Sequence, residues 1–153
     1  QYGLRYNIEF LPWAGVRNLQ EAITLIDALA RDNVYIMVDT LHAGRAGVTA
    51  EELTRTNPKY FNFIHLCDGP AGPDGDPVLD NIKDDLMLFT ARECRLYTGD
   101  GVMDIARMVK ALPNIPLSIE LPNLENISKY GVAGHARNCI EKAKAYFKAN
   151  GIE

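Results

Sequence analysis

The stretch VYIMVDTLH, residues 34–42, joins a run of β-branched and apolar residues to an aspartate and, three positions later, to a histidine. The run before Asp39 is almost continuously hydrophobic, which is typical of a parallel strand covered on both faces. His42 lies in the segment that follows this predicted strand. Whether the carboxylate at the strand end has a chemical role depends on what the other strands carry at the same place.

Three further segments of the same character alternate with helical patterns. The predicted strands are LRYNIEFL (4–11), NVYIMVD (33–39), FNFIHL (61–66) and PLSIEL (116–121). Apolar residues at helical spacing predict helices over residues 18–31, 49–56, 102–112 and 132–149. Because strands alternate with helices, the chain is predicted to be an α/β protein with a parallel sheet and right-handed crossovers.

One segment of the chain fits neither pattern. Residues 67–98 contain the Gly- and Pro-rich sequence DGPAGPDGDP and no strand pattern. Loops of this length in a compact domain are usually functional. Residues 80–92 are predicted to form one or two helical turns within the loop.

Composition and charge narrow the classes of function. The chain has 153 residues, 47% of them hydrophobic, which is enough for one domain with a sizeable core. A formal net charge of −4 argues against nucleic acid and anionic membrane as partners. Three widely spaced cysteines argue against a disulfide framework and favour a reducing, cytoplasmic compartment. Of these, Cys67 is expected to be a small buried residue rather than a reactive thiol.

Each predicted strand carries a polar residue near its C-terminal end, and these residues are Glu9, Asp39, His65 and Glu120. The carboxyl ends of parallel strands meet at one rim, where ligands bind. Three carboxylates close together repel each other, and a divalent metal ion resolves that repulsion. Oxygen ligands with one imidazole favour Mn²⁺, Mg²⁺ or Co²⁺. The alternative is that each residue separately caps a helix or pairs with an arginine.

His42 follows Asp39 by three residues and has two interpretations. It is either a hydrogen-bond donor to a substrate oxygen above the predicted metal site or a loop histidine without a role. The sequence around it does not decide between them.

Together these residues resemble the sugar phosphate isomerase/epimerase family, the xylose isomerase-like TIM barrels. The resemblance rests on the segments IEFLPW, VDTLHAGRAG, IHLCDG, RLYTGDGVMDIARMVKAL and SIELPN. In order and spacing they look like the fifth to eighth βα units of that barrel. The resemblance therefore implies about four parallel βα units, the C-terminal half of a TIM barrel, forming a single domain over residues 1–153.

The resemblance also implies roles for individual residues. The divalent-metal ligands of the family match Glu9, Asp39, His65 and Glu120. Two of them, Glu9 and Glu120, are the candidates to exchange a proton with a carbon next to a carbonyl, through an enediolate that the metal stabilises. His42 matches a histidine that contacts substrate near the metal.

Two arginines match basic residues that hold a substrate carboxylate, hydroxyl or phosphate, and these are Arg45 and Arg95. The alternative is that they pair with neighbouring carboxylates, for which Asp68 and Asp100 are available. Trp13 is expected either to line a sugar site or to pack at the rim. His135, on the last predicted helix, is expected to face solvent.

The function that the resemblance implies is a metal-dependent isomerase or epimerase of a sugar, keto-polyol or related hydroxy-carbonyl compound. One alternative is a dehydratase of the same fold acting on an inosose or dehydroshikimate-like substrate, and another is a non-catalytic barrel. DNA-repair endonucleases of the superfamily use a three-metal cluster, which needs more than the three histidines present here. The small-molecule interpretations are therefore preferred.

Length sets a condition on all of these expectations. A complete (β/α)₈ barrel needs roughly 250 residues, whereas this chain has 153. The first four βα units are therefore expected to be missing, and the chain is interpreted as a fragment, the ordered remainder of a longer chain, or a natural half-barrel. A fragment or remainder is preferred because Gln1 resembles the end of a preceding helix. A half-barrel exposes two strand edges, which favours a homo-oligomer or association with the missing half.

Overall fold

The computed structural model describes residues 2–72, 75 and 84–152. Within them, four parallel strands form one sheet in the order β1-β2-β3-β4. The strands are β1 (Tyr6–Glu9), β2 (Val34–Asp39), β3 (Phe61–Leu66) and β4 (Leu117–Ile119). Each strand lies next to its successor in the chain, which is the commonest arrangement of consecutive strands. The predicted α/β class with parallel βα units is confirmed, and an open sheet of four strands is consistent with half of a barrel.

The register of the sheet brings the strand ends together. Glu9 lies beside Met37, and Asp39 lies beside His65 in the next pair. On the far side of β3, His65 lies beside Ser118, two residues before Glu120. The polar residues at the ends of the four strands therefore share one edge of the sheet.

In the described residues, six α-helices and one short 3₁₀-helix connect and cover the strands. The α-helices are α1 (Leu19–Leu29), α2 (Thr40–Arg45), α3 (Ala50–Arg55), α4 (Asp84–Glu93), α5 (Ile105–Ala111) and α6 (Leu124–Ala149), and the 3₁₀-helix is Pro58–Tyr60. Asn18 caps α1 by accepting a hydrogen bond from the backbone N–H of Glu21 at 3.0 Å. Thr49 and Glu52 form a complete capping box at α3.

Two helices differ from the predictions for physical reasons. Helix α6 begins at Leu124 rather than at residue 132, and Gly131 interrupts it with a φ of 69°. The turns before that kink contain few apolar residues, so the helical pattern becomes visible only after it. Helix α2 was not predicted because its six residues are too few to establish a period.

The segment 67–98 contains more structure than its composition indicates. Helix α4 occupies its second half, and residues 80–83 of the predicted helical turns lie outside the described residues. Two isolated antiparallel bridges, Asp68 with Leu96 and Cys94 with Asn123, attach the end of the segment to the loops that follow β3 and β4. Residues 94–98 are therefore held against the site edge of the sheet.

The hydrophobic core lies between the sheet and the helices. Its most deeply buried members are Phe10, Ile36, Val38, Leu41, Leu53, Ile64, Leu66 and Ile105. By contrast, Tyr6 on β1 and Leu117 and Ile119 on β4 are exposed. These two strands are the edges of the sheet, and each has one neighbouring strand among the described residues. No helix in the described part of the chain is long and apolar enough to cross a membrane.

Candidate metal centre

Four side chains at the ends of the four strands converge at the carboxyl edge of the sheet. One ligand atom from each of Glu9, Asp39, His65 and Glu120 can be chosen so that all four atoms lie within 4.8 Å of one another. The predicted ligand set is thus brought together in space, although its role as a ligand set stays a prediction. The signal in the sequence was the polar residue at the end of each apolar run.

Several of the converging atoms have no hydrogen-bond partner. Buried side-chain atoms without a hydrogen bond include Oε1 of Glu9, Nδ1 of His65 and Oε2 of Glu120. Of these, Oε2 of Glu120 forms an ion pair with Nη2 of Arg95 at 3.1 Å. Nδ1 of His65 lies 3.2 Å from Oε2 of Glu120. Buried polar atoms are normally hydrogen-bonded, and each exception calls for an explanation. A divalent cation fits these atoms because oxygen and imidazole nitrogen atoms that lack a hydrogen bond are its natural ligands.

Asp39 is fixed more firmly than the other candidate ligands. Its Oδ1 accepts hydrogen bonds from the backbone N–H groups of Leu41 at 2.8 Å and His42 at 3.2 Å, which caps α2. Its Oδ2 pairs with Nη1 of Arg95 at 2.5 Å. Burial of the carboxyl opposes its ionisation, but His42 and Arg95 outweigh this effect and hold the pKa of Asp39 below its ordinary value.

Glu9 and His42 face each other at the β1 side of the site. His42 Nε2 lies 3.6 Å from Glu9 Oε1, and the ring of Trp13 packs edge-on to the imidazole at 5.1 Å. Burial, followed by the charges of Asp39 and Glu120, raises the pKa of Glu9 to about 7. Burial lowers the pKa of His42 to about 4, so its ring is neutral at pH 7.

The two predicted substrate-binding arginines have different surroundings. Nη2 of Arg95 lies 3.1 Å from Oε2 of Glu120, so this side chain lies among the candidate ligands. The guanidinium of Arg45 instead donates to the backbone carbonyl of Pro70 at 2.6 Å. Burial lowers the pKa of Arg45 although the charge of Asp68 acts in the opposite direction. The structure therefore places Arg95 in the site and Arg45 against the loop after β3.

One residue that organises the edge of the site was not singled out from the sequence. Asp68 is buried, and its carboxylate accepts four backbone N–H hydrogen bonds of 2.8–3.0 Å. The donors are Gly69, Gly99, Gly101 and Met103. A Cβ at Gly101 would collide with the carbonyl oxygen of Gly69 and with this carboxylate, so the close approach requires glycine. The two glycines of TGDG were the available signal.

The expectation that His135 faces solvent is wrong. Its side chain is buried, with Nδ1 2.9 Å from the hydroxyl of Tyr97 and Nε2 2.8 Å from the carbonyl oxygen of Leu121. His135, Cys139 and Ala143 recur every four residues and form the buried face of α6. That spacing was visible in the sequence and indicates a histidine satisfied in the interior.

Comparison of the sequence with known proteins identifies a matching family and several relatives. The family model for the xylose isomerase-like TIM barrel matches residues 1–147. The inosose isomerase of Bacillus subtilis (strain 168) is 26% identical over 119 residues, which are 76% of this chain and 38% of that protein. The inosose isomerase of Bacillus licheniformis is 25% identical over 156 residues, covering 96% of this chain and 51% of that protein.

Solved structures agree with the sequence relatives. A crystal structure of the IolI protein with a bound zinc atom superposes with a TM-score of 0.76 at 23% identity, covering 96% of this chain and 50% of that one. D-psicose 3-epimerase from Clostridium cellulolyticum H10, solved with D-tagatose, superposes with a TM-score of 0.64 at 15% identity, over 94% and 48% of the two chains. This chain spans about half the length of these proteins or less. It belongs to the xylose isomerase-like TIM barrel family.

Proposed function

We propose that this chain carries the divalent-metal site of an isomerase or epimerase acting on a sugar, keto-polyol or related hydroxy-carbonyl compound. The observation that carries the proposal is the convergence of Glu9, Asp39, His65 and Glu120, three of which have buried ligand atoms without a hydrogen-bond partner. The inosose isomerases and the sugar epimerase among its relatives support the substrate class.

The four strand-end side chains would hold the metal ion. A bound divalent cation supplies Lewis-acid polarisation of a substrate carbonyl and compensates negative charge at its oxygen. The ligand set favours Mn²⁺, Mg²⁺ or Co²⁺ by its oxygen content. Zn²⁺ joins these candidates because the IolI structure contains it.

Glu9 and Glu120 are the residues that we propose to exchange a proton with the substrate. Their side chains remain 32% and 43% exposed at the site, whereas the side chain of Asp39 is fully buried and held by Arg95. A base must come within about 3 Å of the proton that it removes. Exposure therefore favours the two glutamates, one at the end of each edge strand, over the aspartate between them.

His42 is the residue that we propose to contact the substrate beside the metal. Its Nδ1 has no hydrogen-bond partner, and a neutral imidazole provides one donor and one acceptor. Arg45 and Arg95 are less suited to this role because both are buried and donate to acceptors of the protein. For both arginines, the alternative of pairing within the protein is favoured.

A complete substrate pocket needs walls beyond those of four strands. The edges of the sheet at β1 and β4 lie on either side of the site, and the side chains exposed near them include Tyr6, Leu117 and Ile119. We propose that further βα units close the sheet at these edges, either from a second copy of this chain or from other parts of a longer protein. The small-molecule substrate would bind inside that closed arrangement.

The first test is the binding of Mn²⁺ measured by calorimetry on the wild-type chain and on Glu120→Gln. We expect binding by the wild type and a loss of at least about 100-fold in the variant, since one ligand oxygen becomes an amide. Glu125→Gln is the matched control because Glu125 is exposed in the first turn of α6 and is expected to leave affinity unchanged. Absence of binding by the wild type would contradict the metal-site proposal.

The second test separates the catalytic alternatives by their products. Incubation of the metal-loaded protein with an inosose or a ketose is expected to give an isomer of unchanged mass. A product lighter by one water would instead identify a dehydratase. Metal binding without any turnover, and without an effect of Glu9→Gln, would support a non-catalytic barrel.

A further inference from the structure

The imidazole of His135 contacts two loops at once. This side chain lies on the buried face of α6, and its Nδ1 is 2.9 Å from the hydroxyl oxygen of Tyr97. Its Nε2 is 2.8 Å from the carbonyl oxygen of Leu121. Tyr97 belongs to the segment that leads from α4 to the loop held by Asp68, and Leu121 belongs to the loop after β4. One ring on a helix therefore joins two loops that are distant in the sequence.

Both loops carry residues of the candidate site close to the atoms that His135 contacts. Arg95 precedes Tyr97 by two residues, and Glu120 directly precedes Leu121. Nη2 of Arg95 lies 3.1 Å from Oε2 of Glu120, so the two loops meet at the candidate metal site as well as at His135. The position of Glu120 relative to the other candidate ligands therefore depends on how these loops are fixed.

The two hydrogen bonds of His135 have a defined direction. A carbonyl oxygen only accepts, so Nε2 carries the proton that is donated to Leu121. In the neutral ring Nδ1 is then an acceptor, and the hydroxyl of Tyr97 donates to it. Nδ2 of Asn138 lies 3.5 Å from the same hydroxyl oxygen and donates to it, which leaves the hydroxyl proton for His135. Both ring nitrogens and the hydroxyl group are thus hydrogen-bonded.

The imidazole provides more than filling of the interior. The other members of the buried face of α6 are the small residues Cys139 and Ala143. A buried imidazole is costly unless its nitrogens are hydrogen-bonded, and here both nitrogens find their partners in loops. Because the ring is rigid, it holds Tyr97 and Leu121 at one fixed spacing. His135 therefore acts as a spacer between the two loops.

We propose that His135, in its neutral form with the proton on Nε2, is a positioning residue of the metal site. It fixes the loop after β4 against residues 95–98 and thereby places the carboxylate of Glu120 among the other candidate ligands. This inference rests on the metal site of the proposed function. His135 acts on that site through Leu121 and Tyr97.

The test separates the two hydrogen bonds of His135 by amide substitutions. The amide of Gln extends as far as Nε2 and can still donate to Leu121, whereas the shorter amide of Asn ends near Nδ1 and can only accept from Tyr97. Calorimetry measures the affinity for Mn²⁺. Groups that orient metal ligands contribute about 10–100-fold to affinity, so we expect a loss of about tenfold in His135→Asn. In His135→Gln, which keeps the hydrogen bond next to Glu120, we expect a loss below about threefold.

Ala143→Gly is the matched control. Ala143 lies two turns after His135 on the same buried face, and glycine destabilises a helix interior. This variant is expected to be less stable and to bind Mn²⁺ as tightly as the wild type. Equal affinities in His135→Asn and Ala143→Gly, or a larger loss in His135→Gln than in His135→Asn, overturn this inference alone when the wild type binds Mn²⁺. Failure of the wild type to bind Mn²⁺ overturns the metal site and this inference with it.

A second measurement does not depend on the folding of a variant. Long-range nitrogen–proton NMR spectra distinguish the two tautomers of a histidine ring. For His135 in the wild-type chain near neutral pH, we expect a proton on Nε2 and none on Nδ1. The same state is expected when the chain is saturated with Zn²⁺, which is diamagnetic. A proton on Nδ1 in either condition would show that Tyr97 does not donate to the ring, and would overturn the inference.

Discussion

Two kinds of carboxylate at the carboxyl edge of the sheet differ in their hydrogen-bonding surroundings. Asp68, after β3, is buried and accepts two backbone N–H groups on each of its oxygens. Glu9 and Glu120, at the two edge strands, each have a buried oxygen without a hydrogen-bond partner. The same functional group is thus fully bonded to backbone N–H groups in one place, and in another its neighbours are the other side chains of the site.

This difference separates a structural carboxylate from a functional one. A buried carboxylate must be compensated, and Asp68 is compensated by the loop of residues 99–103 that it holds in place. Glu9 and Glu120 are near Asp39 and His65, and the backbone does not supply what they need. An acidic residue therefore indicates a ligand site when its oxygens face other ligand atoms, and not when they face backbone N–H groups.

The largest effect is expected from Asp68→Ala, which removes the acceptor of four backbone N–H groups. Leaving buried donors unsatisfied costs about 1–3 kcal/mol each before relaxation, so we expect the free energy of unfolding to fall by about 3 kcal/mol or more. Urea unfolding of the metal-free protein measures this change. A loss below about 1 kcal/mol would show that the loop 99–103 does not depend on Asp68.

The next effect is the stabilisation that a metal ion provides. At a concentration of about 100 times its dissociation constant, Mn²⁺ is expected to raise the free energy of unfolding of the wild type by about 2.7 kcal/mol. Glu120→Gln should gain much less at the same concentration. Asp68→Asn should be less stable than the wild type and still gain as much as the wild type does, because its carboxylate is not among the converging ligands. An equal increase in the free energy of unfolding in all three proteins would contradict the distinction between structural and ligand carboxylates.

A smaller effect is expected from the pH dependence of the metal-free protein. Burial and neighbouring carboxylates raise the pKa of Glu9 from 4.5 to about 7, so the folded state holds this proton more tightly than the unfolded state. Relative to Glu9→Gln, the wild type should be most stable below about pH 4.5 and lose stability as the pH rises through about 7.

The loss is expected to be about 1–2 kcal/mol, since the partial exposure of Glu9 screens its interactions. Urea unfolding of both proteins between pH 5 and 8, in the presence of a chelator, measures the difference between the two curves. Parallel curves would mean that Glu9 is as well accommodated in the folded state as in the unfolded chain.

Much of this arrangement could be predicted from the sequence because it depends on side chains at strand ends. Apolar runs that end in Glu9, Asp39, His65 and Glu120 predicted the parallel strands and brought these residues to one edge. Such a prediction needs only the strand boundaries and the rule that parallel strands share their carboxyl edge. The candidate ligands were therefore accessible without knowledge of any loop.

The remainder depends on contacts that sequence patterns do not display. The carboxylate of Asp68 accepts hydrogen bonds from three backbone N–H groups more than thirty residues away, and every residue type except proline carries such a donor. Arg95 was predicted to bind substrate, with Asp68 or Asp100 as alternative partners, but it pairs with Asp39 and Glu120 because the bridge at Cys94 carries it back to the sheet. The geometry of the loops determines both the hydrogen bonds of Asp68 and the ion pairs of Arg95.

The smallest effect is expected for a third carboxylate, that of Asp100. It lies next to the backbone N–H groups that Asp68 binds, but it is neither a buried structural carboxylate nor a candidate metal ligand. Asp100 is exposed between Gly99 and Gly101 and pairs with Nζ of Lys142 on α6 at 2.8 Å. Exposed ion pairs contribute little because water solvates both partners, so Lys142→Ala should change the free energy of unfolding by less than about 0.5 kcal/mol. Urea unfolding at low and high salt measures this change, and a loss above about 1.5 kcal/mol would mean that Asp100 helps Asp68 to hold the loop of residues 99–103.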